Sequence, residues 1–117
     1  MTEPVPELSA EDKKLVTLAR ATRARTGARD GAAVRDLDGR TYAAATVDLP
    51  SLQISALGAC IAMATSSGAK GLEAAVLLTA APDVSVDDLA ALRDFAGSGV
   101  VVHVGTIRGE IAGTSMT

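Results

Sequence analysis

Cysteine, histidine and aromatic residues are nearly missing from this sequence, and each shortage removes a class of function. Cys60 and His103 are each the single residue of their type, so no internal disulfide forms and the usual Cys/His zinc sets cannot be assembled. A reducing cytoplasm fits such a chain. Aromatic residues make up 2%, namely Tyr42 and Phe95, too few for the stacking platforms of single-strand binders and RNA-recognition modules. Positive charge is not in excess either: Lys+Arg 11 against Asp+Glu 14 leaves a formal net charge of -3. The chain therefore has no global field to recruit nucleic acid or anionic membrane. No apolar run approaches the roughly 20 residues of a membrane span. Residues 1–8, with Glu3, Pro4, Pro6 and Glu7, lack the basic start and apolar core of a signal peptide and are expected to form a disordered tail.

What is present is an ordinary globular composition, 117 residues with 48% hydrophobic and 21% charged. That suffices for one domain, placed at residues 9–112, with a core that needs no disulfide or metal staple. Ser9 with Asp12 resembles a capping pair and predicts a helix over about residues 10–26, ending at Gly27. Asp38-Gly39 supplies a tight turn between two strands, Gly31–Asp36 and Thr41–Val47. Pro50-Ser51 is read as opening a second helix with Leu57, Ile61 and Ala64 on one face and a stop at Gly68. Ala74–Thr79 and Val100–Val104 are short apolar runs suited to buried strands, and a third helix runs from near Ser85 to Gly97. A short last strand is expected within Thr106–Ile111, with residues 113–117 frayed. The order predicts an α/β fold, a mixed sheet between helical layers.

That order, with specific residues, resembles the cytidine deaminase family. Members carry a segment like Val-Gly-Ala-Ala-Leu, a turn like Asp-Gly-Arg, a nearby Tyr and a segment like Asn-Val-Glu-Asn ahead of a helix bearing the first zinc ligand. This chain has Asp30-Gly31-Ala32-Ala33-Val34, Asp38-Gly39-Arg40, Tyr42 and Thr46-Val47-Asp48-Leu49. The resemblance spans residues 10 to 104 and implies a three-layer α/β/α sandwich of the cytidine deaminase-like kind. It also implies a homo-oligomer, a dimer or tetramer.

The departures from the family fall on the chemistry. Zinc deaminases place a His or Cys two residues before a catalytic Glu, then Pro-Cys-x-x-Cys at the start of the next helix. Here Ser55-Ala56-Leu57 stands at the first motif, and the second is aligned with Val86 to Ala90, which puts Asp87 and Ala90 at the two cysteines. Leu57 can neither accept nor donate a proton. The base-packing Phe falls on Ala28, a nearby Tyr on Arg25, and the sugar-binding Asn and Glu on Thr46 and Asp48. Thr46, Asp48, Ser55 and Leu57 are therefore the candidate vestigial substrate-binding residues, with no catalytic residue, no metal and no cofactor expected. The cavity implied by the family is expected between the starts of helices two and three, edged by Ser51, Gln53, Ser55 and Ser85 with Leu57 inside; it either holds a small polar ligand or has closed with apolar packing over Leu57, and the packed site is the expectation.

Other chemistries are weaker. Cys60 is read as a core thiol and His103 as a satisfied strand histidine. Asp83, Asp87 and Asp88 are ascribed to helix capping before a cation site. Gly68-Ala69-Lys70-Gly71 follows a helix and has no Ser or Thr after the lysine, so it is a turn and not a phosphate loop. Gly97 and Gly99 precede a strand and are wrong for a dinucleotide fingerprint. Arg20, Arg23, Arg25 and Arg29 form the one basic cluster, ordinarily a solvated helix face. Three functions stay open: a non-catalytic binding or scaffolding domain, which leads and would take a small polar ligand; a divergent nucleoside deaminase or related hydrolase; and an RNA-associated accessory protein using the arginine face.

Overall fold

The computed structural model describes residues 7–117; positions 1–6 of the expected tail lie outside the described residues. Helix α1 spans Ala10–Thr26. Ser9 Oγ accepts the Asp12 N–H at 3.1 Å, Glu11 and Asp12 occupy the positive first turn, and Gly27 ends the helix at φ 66. Strands β1 (Gly31–Asp36) and β2 (Thr41–Ala45) then form the expected hairpin. Asp36 organises its turn. Its Oδ1 accepts the Asp38 and Arg40 N–H groups, each at 2.9 Å, and its Oδ2 accepts the Tyr42 hydroxyl at 2.8 Å. Burial pushes this carboxyl upward, but those three donors outweigh it and hold Asp36 below its ordinary value. The same hydrogen bond, made by the neutral phenol, raises Tyr42.

The expected helix start at Pro50-Ser51 is corrected. The chain leaves β2 through Thr46 and forms a separate antiparallel hairpin, β3 (Val47–Leu49) and β4 (Leu52–Ile54), with Pro50-Ser51 at its turn. The fixed φ of proline suits a turn corner as well as a first helical position, so the residue alone does not separate the two. Helix α2 covers Ala56–Ser66, and its cap is Ser55, whose Oγ accepts the Gly58 N–H at 2.9 Å. Strand β5 (Leu72–Leu78), helix α3 (Val86–Ala96, capped by Ser85 and Gly97) and strand β6 (Val101–Gly105) follow as expected, with β6 parallel to β5.

A second correction concerns the C-terminal end. Thr106 to Glu110 is a turn with Gly109 at φ 92, and the last strand, β7, is Ile111–Met116, paired antiparallel along β6. Residues 113–117 are therefore ordered in the sheet. Thr117 anchors them: its N–H donates to Val100 O at 3.0 Å and its hydroxyl donates to Gly97 O at 2.8 Å. An edge strand rich in Gly, Ser and Thr carries little apolar signal, because its fit depends on a neighbour already in place.

The main sheet has the order β2-β1-β5-β6-β7, with α1 on one face and α2 and α3 on the other. The α2/α3 side holds the larger core, including Val34, Leu57, Cys60, Leu77, Leu92 and Val102. On the α1 side Leu15 and Ala19 meet Ala33, Ala74, Val76 and Leu78. Small side chains let this helix come close, and a Cβ at Gly31 would collide with the Ala19 carbonyl. The alanines of α2 also serve the core. Ala56 and Ala64 are buried and Ala59 packs against the cluster, while Ala62 is exposed.

Beside the α1 core lies a charged network. Asp12 Oδ1 takes Arg35 Nη2 at 2.9 Å and Oδ2 takes His103 Nε2 at 2.8 Å, while Arg35 Nε donates to Glu73 Oε2 at 2.8 Å. His103 is thus a buried structural histidine on the α1 face, separated by the sheet from Cys60. Among the described residues no helix is long and apolar enough to cross a membrane.

Candidate functional site

Helices α2 and α3 begin close together beyond the carboxyl end of β5. This is the end of an α/β sheet where ligand crevices form. Two clefts lie there and share Arg29 and Ser55. The larger, about 490 Å³, is walled by Ala28, Thr46, Asp48 and Gln53 among others. The smaller, about 280 Å³, is edged by Asp30, Thr79, Asp83, Ser85 and Asp88.

The structure brings together three of the four candidate substrate-binding residues. Thr46, Asp48 and Ser55 all line the larger cleft, together with Ala28 and Gln53. Thr46 Oγ1 accepts the Asp30 N–H at 3.0 Å and so pins the β3–β4 hairpin to the start of β1. Leu57, expected in a site that either holds a ligand or has closed with apolar packing, lines neither cleft and is 0% exposed within the apolar core. Ser51 sits exposed at the hairpin turn and Arg25 is exposed on α1; neither edges a cleft. The expected cavity is thus divided and lies beside Leu57 instead of around it. A helix start placed too early in the chain displaces its rim by the length of the hairpin.

The alignment of the third helix is also corrected. The groups facing Ser55 are Ser85 and Asp88, three residues apart, and not Asp87 and Ala90, both of which are exposed. Ser55 Oγ donates to Asp88 Oδ1 at 2.6 Å, and the Asp88 N–H donates to Ser85 Oγ at 3.1 Å. Ser85 is the N-cap of α3 and Asp88 lies three residues on, the spacing of Cys-x-x-Cys. The donor set at this point is two hydroxyls and one carboxylate. Zinc in such a site is held by thiolates and imidazoles. Neutral serine hydroxyls are poor substitutes, and both oxygens are already engaged by helix N–H groups. Among the described residues no group of three His, Cys, Asp or Glu could hold a metal ion. These residues do not fit zinc.

Asp30 escapes sequence reasoning altogether. Its Oδ1 is buried without a hydrogen-bond partner at the edge of the smaller cleft, and Arg29 Nε stands 3.7 Å from its Oδ2. Nothing local marks it, since an Asp before a strand is ordinarily a turn residue. Asp83 is held below the ordinary carboxylate range by the Ser115 hydroxyl at 2.7 Å and the Val84 N–H at 2.7 Å. Burial pushes the Cys60 thiol up to about 12, which leaves no thiolate near neutrality. The arginine cluster does not converge on one groove. Arg20, Arg25 and Arg29 are exposed, and Arg23 is tied to Ala28 O at 3.0 Å.

Comparison with known proteins identifies the family and the fold. A family model described as cytidine deaminase-like matches residues 8–109. Among solved structures, the cytidine deaminase from Mycobacterium leprae is similar at 19% identity and TM-score 0.70, covering 92% of this chain and 94% of that one. The cytidine deaminase from Burkholderia pseudomallei is similar at 17% identity and TM-score 0.74, covering 94% and 92%. That from Bacillus anthracis gives 13% identity and TM-score 0.65 over 92% and 84%. At these identities the structures show a shared fold. No curated protein sequence matches the chain.

Proposed function

This chain belongs to the cytidine deaminase-like family, and from that premise we propose that it is a non-catalytic member acting as a binding or scaffolding domain. One observation carries the reading. Leu57 occupies the position that the family resemblance gives to the catalytic Glu, and it is buried in the apolar core with no group that can move a proton. Ser55 stands where the resemblance puts the first metal ligand, and the groups that meet it from α3, Ser85 and Asp88, are oxygen donors that supply none of the soft ligands zinc takes in such a site.

The open clefts favour binding over a purely structural role. Asp48 and Gln53 stand on the hairpin wall of the larger cleft, which Arg29 also lines, and such a rim suits a small polar ligand. The protein is further proposed to be cytoplasmic and a homo-oligomer. The exposed apolar tip of the β3–β4 hairpin, Leu49 at 55% and Leu52 at 50% exposure, supports association. Light scattering at tens of micromolar is expected to give a mass above that of the monomer, and a monomer would count against the assembly.

The activity test is direct. Purified protein incubated with cytidine or deoxycytidine, with and without added zinc, is expected to show no absorbance change toward the uridine product. Turnover that vanishes on substituting Ser55 or Asp88 would establish a divergent deaminase instead.

A further inference from the structure

We infer that the hydrogen bond from Ser55 to Asp88 provides in this chain the cross-link between α2 and α3 that a bound metal provides in a zinc deaminase, so this end of the fold closes without metal. The inference rests on the metal-free reading of the site and assigns a role to the groups that replace the ligands.

The geometry is that of a relay between two helix ends. The Gly58 N–H of α2 donates to Ser55 Oγ at 2.9 Å, and the Ser55 hydroxyl donates to Asp88 Oδ1 at 2.6 Å. The second distance lies in the short range of a hydroxyl bound to an ionised carboxylate. Asp88 in turn belongs to the first turn of α3, where its N–H is fixed by Ser85 Oγ. Each helix start carries roughly half a positive charge. Two such ends brought together repel unless an anion stands between them, and α2 has no acidic residue in its own first turn. The Asp88 carboxylate therefore serves both helices, its own directly and α2 through the Ser55 hydroxyl. A thiolate-bound dication answers the same requirement with more charge on both sides. Here one carboxylate and one hydroxyl suffice, because Leu57 has joined the core and no developing charge has to be held.

A double-mutant cycle read by thermal unfolding tests this, using wild type, Ser55→Ala, Asp88→Ala and the double variant, each with chelator and with excess zinc. Each single substitution is expected to lower the melting temperature by about 5 °C or more, and the double variant by clearly less than the sum of the two, since a shared contact can be lost only once. Ser55→Ala also removes the cap on Gly58, a loss common to both arms that cancels in the cycle. Asp88→Asn keeps an acceptor without the charge and is expected to fall between wild type and Asp88→Ala; it closes the cycle if Asp88→Ala does not fold. The wild-type melting temperature is expected to be the same with zinc and with chelator. Additive losses, or a wild-type melting temperature raised by zinc, would overturn the cross-link. Turnover of cytidine by the wild type would instead overturn the non-catalytic reading, so the two failures are distinguishable.

Discussion

Leu57→Ala is expected to lower the unfolding free energy by about 2–5 kcal/mol, measured by urea denaturation with the slope unchanged. The side chain is 0% exposed and shares its core with Ala32, Val34, Cys60, Leu92 and Val102. Truncation removes the transfer free energy of the lost carbons and leaves a void between α2, α3 and the sheet. The surroundings cannot collapse easily, because the strand residues facing α2 are already small: Ala32, Ala44 and Ala75 are buried there. A position on the wall of an open cleft would lose well under 1 kcal/mol. A negligible loss would therefore place Leu57 outside the core and reopen the site as a pocket. Leu57→Glu is expected to be at least as damaging near neutral pH and to restore no activity, since an unpartnered carboxylate would have to ionise in apolar surroundings or remain protonated.

Asp12→Ala is expected to cost about 2–4 kcal/mol near neutral pH, close to the cost of breaking a buried ion pair but discounted for partial exposure. Asp12 is the sole link between the Arg35 guanidinium and the His103 ring, whose side chains are 13% and 9% exposed. Arg35 keeps Glu73, whereas His103 loses its hydrogen bond and already has an unpartnered Nδ1. Burial pushes the Asp12 carboxyl upward; the hydrogen bonds and charges of His103 and Arg35 outweigh it and hold the group below the ordinary 3.8. A depressed carboxyl contributes stability above its unfolded pKa and loses it as pH falls through the folded value. The gap between wild type and Asp12→Ala should thus be full near neutrality and narrow below the ordinary 3.8. A gap independent of pH in acid would show that the charge of Asp12 contributes nothing.

Local chemistry made most elements legible. Ser9, Ser85, Gly27 and Gly97 mark the ends of α1 and α3, and Asp38-Gly39 marks the first hairpin. Two elements were not legible, for different reasons. Pro50 satisfies a helix start and a turn equally, and only the pairing of Val47 with Ile54 decides between them. Strand β7 has its period written in exposure, not in hydrophobicity, and becomes a strand because β6 offers it an edge. At the site, resemblance located Thr46, Asp48 and Ser55 on a cleft. Leu57 lies in the core, as expected of a site closed with apolar packing. The sequence sets the two cysteine positions at Asp87 and Ala90 although Ser85 already marks the start of α3, because no Pro-Cys pair anchors the alignment there. Asp30 depends on tertiary burial and has no local signature.

The β3–β4 hairpin gives the larger cleft an uneven mechanical character. Its two strands pair only with each other, apart from the main sheet, and a lone two-stranded ribbon has little stability of its own. It is secured at its base, by Thr46 to Asp30 on one side and by Ser55 to Asp88 on the other, while Leu49 to Leu52 at the tip stand exposed. Local opening draws on the least stable backbone in a fold, so the wall carrying Asp48 and Gln53 is the part expected to open first, while the opposite lining, Gly27 to Arg29 between α1 and β1, stays fixed. The cleft is therefore a hinged enclosure whose volume varies with one short ribbon, and a ligand would meet one fixed side and one compliant side.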